Sequence, residues 1–324
     1  MKSFCKIIRQ SSHLCVTWIV NNVCPYSCWY CLPSIYNGGV NRAYEWNQCE
    51  DFINKLLTRY GKVHFALSGG EPTQWPHIDN LMIKAKTLNG AITVGFTTNM
   101  IRSAKWWQLY CSDFAYVVAS YHPDMLTTSD NRDEWLKKVE DVAKHTHVLV
   151  RLSMDPRHWE HCVDLYERWS QKNDLPFNVE PVRLINFNES DPSWFKYSDL
   201  QESWFINHAK LVRKKQKAYG SSAMHEYIEK NYIKYDDGSI EMLNHVSDLI
   251  RYKQNNFYDW ECNIGLEHLF VNPDGWIKRG NCQQGGTLGN IKEIDKINFP
   301  TDPIVCKSTF CHCTTDIKIS KKRR

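Results

Sequence analysis

The sequence predicts an α/β protein on a parallel sheet, an open or partial (β/α)6 TIM-like barrel. Two observations predict it. Six short apolar runs between residues 14 and 182 alternate with five longer amphipathic stretches, the pattern of consecutive βα units. Six strands are also fewer than the eight that close a barrel. The composition allows such a core: 324 residues are 42% apolar and 23% charged, with 12 prolines and 15 glycines. That excludes collagen-like, low-complexity and wholly disordered chains.

The strand-like runs are residues 14–20, 63–67, 92–96, 116–119, 148–152 and 177–182. Helical stretches fall between them. Residues 46–60 place Phe52, Leu56 and Leu57 on one face, and 77–88 and 103–110 follow. Residues 132–145 space Trp135, Val139 and Val142 at helical intervals, and 157–172 complete the set. After Leu184 the pattern changes. Residues 193–218 and 224–232 read as helices rich in aromatics and lysine. Two hairpins are expected, at 232–243 around Asp236-Asp237-Gly238 and at 269–278 around Pro273-Asp274-Gly275. The tail from Ser320 to Arg324 is basic and reads as a solvated terminus. This gives three domains: a core over 1–190, a helical, aromatic linker or lid over 191–260, and a small domain over 261–324.

The net charge of +4, from 40 basic and 36 acidic residues, argues for neither a nucleic-acid nor a membrane partner. No apolar run reaches the ~18–20 residues of a membrane span. The longest near the start, 14–20, contains Cys15 and Thr17, and no secretory signal precedes it, so a cytoplasmic protein is expected. Thirteen cysteines, an odd number without an export signal, argue against a disulfide framework. Cys5, Cys15, Cys49, Cys111 and Cys162 are scattered and read as small buried apolar residues. The other eight fall in two sets, which suggests two metal sites. Thirteen tryptophans, 16 tyrosines and 13 phenylalanines suit a packed core, or a large cleft.

In parallel sheets the chemistry sits at the C-terminal strand ends. Directly after the first strand, Cys24-Pro-Tyr-Ser-Cys28-Trp-Tyr-Cys31 spaces three thiols as C-x3-C-x2-C. Such intervals let one loop wrap an iron–sulfur cube, or supply most of a zinc site. Three thiolates on four irons leave one iron open to a small chelating molecule. After the second strand comes Ser68-Gly69-Gly70-Glu71-Pro72. Paired glycines let the backbone approach a ligand, and the glutamate offers a carboxylate to an amino group.

Together these motifs closely resemble the radical SAM superfamily, over residues 14 to about 185. The resemblance implies that Cys24, Cys28 and Cys31 hold a 4Fe–4S cluster whose open iron chelates S-adenosylmethionine. It implies that Tyr30 lies against the adenine and that Gly69, Gly70 and Glu71 bind the methionyl amine. Thr98 and Asn99 after the third strand, Ser120 on the fourth and Arg151 on the fifth are further cofactor contacts by the same resemblance. Arginine suits a carboxylate because its planar fork keeps its charge. His122 is left unassigned.

The second set runs Cys262, twelve residues to Gly275, six more to Cys282, Leu288-Gly289-Asn290-Ile291, then Cys306-x4-Cys311-x-Cys313. It looks like the SPASM/twitch extension of radical SAM enzymes, in its shorter twitch form. That resemblance implies one auxiliary 4Fe–4S cluster, held by Cys262, Cys282 and two of Cys306, Cys311 and Cys313. A zinc ribbon from the same cysteines is the alternative.

The implied chemistry is reductive cleavage of S-adenosylmethionine to a 5′-deoxyadenosyl radical that abstracts hydrogen from a substrate carbon. A one-electron donor such as a flavodoxin or ferredoxin is needed, and the auxiliary cluster would assist oxidation or bind the substrate, with full ligation favouring oxidation. The substrate is a peptide or protein, or else a small molecule or nucleotide. Only 23 residues precede Cys24, which speaks against a leader-binding domain. In 193–260, aromatics interleave with Arg213, Lys214, Lys215 and Lys217, which suits stacking on bases and pairing with phosphate, or a helical core with a solvated face. The other class is a non-catalytic iron–sulfur regulatory or antiviral protein that keeps the fold.

Overall fold

The computed structural model describes residues 2–39, 43–88, 90–186, 193–214, 229–243, 246–311 and 313–324. Its first seven strands are β1 (Phe4–Gln10), β2 (Leu14–Ile19), β3 (Val63–Ser68), β4 (Ile92–Thr98), β5 (Tyr116–Tyr121), β6 (Val148–Ser153) and β7 (Asn178–Val182). Helices Trp46–Tyr60, Ile78–Thr87, Ala104–Tyr110, Ser129–Ala143 and Trp159–Gln171 alternate with β2–β7. All six predicted strands and five predicted helices are therefore present, within four residues at their ends. The fold is mixed α/β, consistent with a partial barrel core.

Local chemistry explains the helix ends. Trp46–Tyr60 opens on a capping box in which Glu45 and Gln48 bond each other's backbone. It stops at Gly61, whose φ of 75° is left-handed. Its buried face is Cys49, Phe52, Ile53 and Leu56, with Leu57 only half-buried, so the stripe is rotated slightly from the expected one. Ser129–Ala143 starts on the Thr128 hydroxyl and buries Trp135, Val139 and Val142 as expected.

The chain divides into two compact units. One comprises residues 20–41 and 67–226, the other 1–19, 42–66 and 227–324. In the first, β4, β5, β6 and β7 lie side by side and parallel. Its core is aromatic: Phe96 packs on Phe114 at 4.8 Å, and Tyr121 on Trp135 at 5.3 Å. Each such ring contributes about 1.5–3 kcal/mol by leaving water. Ser193–Trp194, expected as helix, is a short strand (β9) paired with Ile185–Asn186 (β8). The helix that follows is only Asp199–Asn207, capped by Ser198. It lays Trp204 and Phe205 on Trp159 at 5.4 and 5.5 Å. Lys214 donates to the Ser170 carbonyl; Lys215, Lys217, Tyr219 and Tyr227 lie outside the described residues.

The other unit holds the rest: β10 (Lys230–Tyr235), β11 (Ile240–Met242), β12 (Glu261–Cys262), β13 (His268–Val271), β14 (Trp276–Lys278), β15 (Thr287–Asn290), β16 (Ile304–Val305) and β17 (Lys321–Lys322). Both expected hairpins form, β10–β11 and β13–β14. Residues 224–232 were expected as helix, but 230–232 belong to a strand because Asn231 and Ile233 alternate inward against β1. Residues 224–228 are outside the described set. Strand β13 runs parallel to β2.

In the basic tail Lys322, Arg323 and Arg324 are exposed as expected, but Lys321 is not. Strand β17 lies between β1 and β12, and Lys321 is 3% exposed. Its Nζ donates to the carbonyls of Asp316 and Ile317 at the end of helix Thr314–Lys318, where a cation is favoured. Arg323 donates to the Phe4 carbonyl at 2.6 Å. All thirteen cysteines are free; Cys15, Cys49, Cys111 and Cys162 are buried and Cys5 half-buried. No helix among the described residues is long and apolar enough to cross a membrane.

Candidate functional site

The early thiols sit on the loop that leads from β2. Cys31 N–H donates to the Cys28 carbonyl, and Cys24 N–H to Tyr36 O, which curls the loop so that three sulfurs share a short stretch of backbone. Cys28 is buried, Cys24 and Cys31 half-buried. Burial pushes all three thiols up, Cys24 to about 11. Such thiols ionise only when a cation compensates them, as metal coordination does.

The loop is tied to the end of β3. Gly70 N–H donates to Asn21 O, Glu71 N–H to Val23 O, and the Asn21 side chain returns a bond to Glu71 O. A Cβ on Gly70 would lie 2.3 Å from the Val23 oxygen, and one on Gly69 2.6 Å from that of Asn21. The paired glycines therefore make room for the chain entering the cysteine loop, a use not visible in the sequence.

Glu71 is 1% exposed. Its Oε1 accepts from Thr73 N–H at 3.1 Å, Thr73 Oγ1 at 2.7 Å and Thr98 Oγ1 at 2.8 Å. Its Oε2 accepts from Asn99 N–H at 2.8 Å. Burial pushes the carboxyl above its ordinary range, although these donors pull it down. Among the described residues its partners are hydroxyls and amides, with no cation. The Asn99 side chain reaches from there to Cys24 Sγ at 3.5 Å. Thr98 and Asn99 thus join carboxylate and thiol into one construction.

Tyr30 Oη lies 2.7 Å from His122 Nδ1, with the two rings stacked at 6.0 Å. Burial lowers the His122 imidazole to about 4, so it is neutral at physiological pH. Next to Tyr30, Trp29 donates to Asp155 Oδ2 at 2.7 Å, packs on Phe195, and carries the Arg157 guanidinium 4.0 Å over its ring. Ser120, Arg151 and Glu180 stand in register across β5, β6 and β7. Arg151 Nε donates to Glu180 Oε2 at 3.2 Å, so part of its charge is already matched. His122, Asp155 and Glu180 were missed by sequence reasoning. His122 and Asp155 gave a signal, each a polar residue three positions beyond a predicted strand end.

The late cysteines belong to the other unit. Cys262 lies in β12, Cys282 in the turn after β14, Cys306 after β16, and Cys313 just before helix Thr314–Lys318. Cys311 is bound through its backbone to Asn255. Burial pushes the Cys282 thiol up to about 12 and raises that of Cys311. Asn281 Nδ2 donates to Cys313 Sγ at 2.6 Å, and Gln284 Nε2 lies 3.8 Å from Cys306 Sγ.

Both sets are free thiols, most of them raised by burial and some with N–H groups aimed at sulfur, which is the donor chemistry an iron–sulfur cube takes. Among the described residues no three His, Cys, Asp or Glu side chains converge where a single ion would sit; a cube spreads its thiolates wider.

Residues 18–167 match the Radical SAM superfamily, and the chain carries a domain of that superfamily. The domain implies a 4Fe–4S cluster and S-adenosylmethionine. A GTP 3′,8-cyclase of Vibrio parahaemolyticus (serotype O3:K6, strain RIMD 2210633) is 22% identical over 191 residues, 55% of this chain and 56% of that protein. The chain thus spans little more than half of that relative. Among solved structures, native anSMEcpe with bound AdoMet has a TM-score of 0.53 at 16% identity, covering 88% of this chain and 80% of its own. With AdoMet and the Cp18Cys peptide, anSMEcpe gives 0.53 at 17% identity, covering 88% and 81%. These likenesses show a common fold.

Proposed function

We propose that the chain is a radical SAM enzyme in which Cys24, Cys28 and Cys31 hold the 4Fe–4S cluster and Glu71 receives the amino group of S-adenosylmethionine. With an electron from a flavodoxin- or ferredoxin-like donor, cluster and cosubstrate together supply a 5′-deoxyadenosyl radical for hydrogen abstraction. The observation that carries the reading is Glu71, a buried carboxylate fixed by four donors with no cation among its described partners. Burying an unpaired carboxylate is costly, and an ammonium group at Oε2 supplies the missing charge. Asn99 fixes that carboxylate relative to Cys24. His122 holds the Tyr30 ring as a flat shelf for adenine. Ser120 and the outer guanidinium nitrogens of Arg151 serve the ribose and carboxylate.

Cys262, Cys282 and two of Cys306, Cys311 and Cys313 would hold an auxiliary 4Fe–4S cluster, which would supply a one-electron acceptor. The three-part division at 190 and 260 is retained as a division of labour, in a cytoplasmic enzyme. For the substrate we favour a nucleotide, supported by the GTP named in the curated relative; a peptide is the other outcome. The non-catalytic reading is not favoured, because the thiols and Glu71 are intact.

Anaerobic reconstitution should give about eight irons per chain, and about four after Cys24, Cys28 and Cys31 are replaced together by Ala. Glu71→Ala should weaken S-adenosylmethionine binding and keep the iron. Protein that takes up only zinc, or unchanged affinity in Glu71→Ala, would sink the reading. Release of 5′-deoxyadenosine with GTP, other nucleotides or cysteine peptides then separates the substrate classes.

A further inference from the structure

The late thiols are spread over some fifty residues, so something other than a short loop must hold them in place. Asp316, in helix Thr314–Lys318, is 2% exposed. Its Oδ2 accepts from Cys282 N–H at 2.7 Å, and its Oδ1 from Asn281 N–H at 3.2 Å and His268 Nδ1–H at 2.8 Å. The Asp316 carboxylate only accepts, which places the proton on Nδ1; on the far side of the ring His268 Nε2 lies 2.9 Å from Thr17 Oγ1, whose hydroxyl can donate to it. Thr17 and His268 stand on the parallel neighbours β2 and β13, a rigid base.

The turn is shaped to receive this carboxylate. Gly280 has no room for a side chain: a Cβ would meet Ile264 at 2.3 Å and Asp316 Oδ1 at 3.0 Å. Gln283 closes the turn in the left-handed region, with φ 56°, and donates to Gly280 O. Both amides between these residues point at Asp316. The side chain of Asn281, so held, donates to Cys313 Sγ.

We propose that Asp316, braced by His268 and Thr17, is the positioning residue of the late thiol site: it presents Cys282 and directs the Asn281 amide onto the sulfur of Cys313. The inference rests on the reading of these thiols as iron–sulfur ligands. An N–H donor to a ligating sulfur raises the reduction potential of the cluster. Asn281 thereby becomes a tuning residue whose aim depends on Asp316.

The test uses the full chain with Cys24, Cys28 and Cys31 replaced by Ala, so that iron reports only the late thiols. After anaerobic loading with iron and sulfide, iron per chain, the electron paramagnetic resonance spectrum and the midpoint potential are measured. Asn281→Ala, which leaves the backbone in place, should keep its iron, change the spectrum and lower the potential. Asp316→Asn should reduce iron content at least twofold. His268→Leu should act in the same direction, and His268→Asn, which keeps a donor near the Nδ1 position, should restore most of the iron. If the background protein holds no iron–sulfur centre, the reading of the site fails. If it holds one and Asn281→Ala leaves spectrum and potential unchanged, the positioning proposal fails while that reading stands.

Discussion

Replacing Gly70 by Ala separates two explanations of the glycine pair. The added Cβ would lie 2.3, 2.4 and 2.7 Å from the oxygen, carbon and nitrogen of Val23. Ordinary contact begins near 3.4 Å, so the two strands of chain must part by about 1 Å (3.4 − 2.3). Every crowded atom is backbone, and no rotamer change relieves it. Overpacking of this kind costs about 1–3 kcal/mol. The parting also stretches Gly70 N–H to Asn21 O and Glu71 N–H to Val23 O, each worth about 1 kcal/mol. A total near 3 kcal/mol lowers Tm by roughly 6–12 °C in a unit of this size. The assay is thermal unfolding without S-adenosylmethionine, beside iron content after reconstitution, because Val23 directly precedes Cys24. Both should fall in Gly70→Ala. If Tm stays within about 1 °C and iron is normal while only S-adenosylmethionine binding is lost, the glycines serve the ligand and the packing argument is wrong.

Glu229 is buried beside Arg9 and Lys318, at 2.6 and 3.0 Å. Burial raises its carboxyl, but the two cations outweigh this and hold it at about 2. Because its folded value lies below the unfolded one, its contribution of about 3 kcal/mol is present above pH 4.5 and lost as pH falls toward 2. The stability gap between wild type and Glu229→Gln, from urea unfolding, should therefore shrink below pH 4.5; a constant gap from pH 7 to 3 refutes it. Lys321→Met keeps the stem and loses two charge-assisted bonds, so it should cost about 1.5–3 kcal/mol. A solvated tail would show no change in Tm.

The parallel strands were legible because each keeps a largely apolar, buried run, even where Arg151 or Glu180 interrupts it. Strand β1 was not, since Lys6, Arg9 and Gln10 interrupt it; Arg9 is buried against partners that include Glu229 and the carbonyl of Glu267, both distant in sequence. Lys321 was misread for a similar reason: charge alone does not reveal two waiting carbonyls. At the candidate site the spacing of Cys24, Cys28 and Cys31 and the string ending in Glu71 were plain, being local. What surrounds them was not. The bond from Tyr30 to His122, the Arg151–Glu180 pair and the carboxylate behind Cys282 all join residues far apart in the chain.

The route of the backbone between the two units limits how the molecule can be dissected. It passes from one to the other near residues 19, 41, 66 and 226, so no single cut releases either unit whole. A fragment ending near residue 226 would leave β1 without β10 and β17, and β2 without β13, exposing Ile7, Val16 and Trp18, which are now fully buried. Such a piece would present unpaired strand edges, a route to aggregation. Loss of function in a truncated protein would then report misfolding rather than the removal of a module.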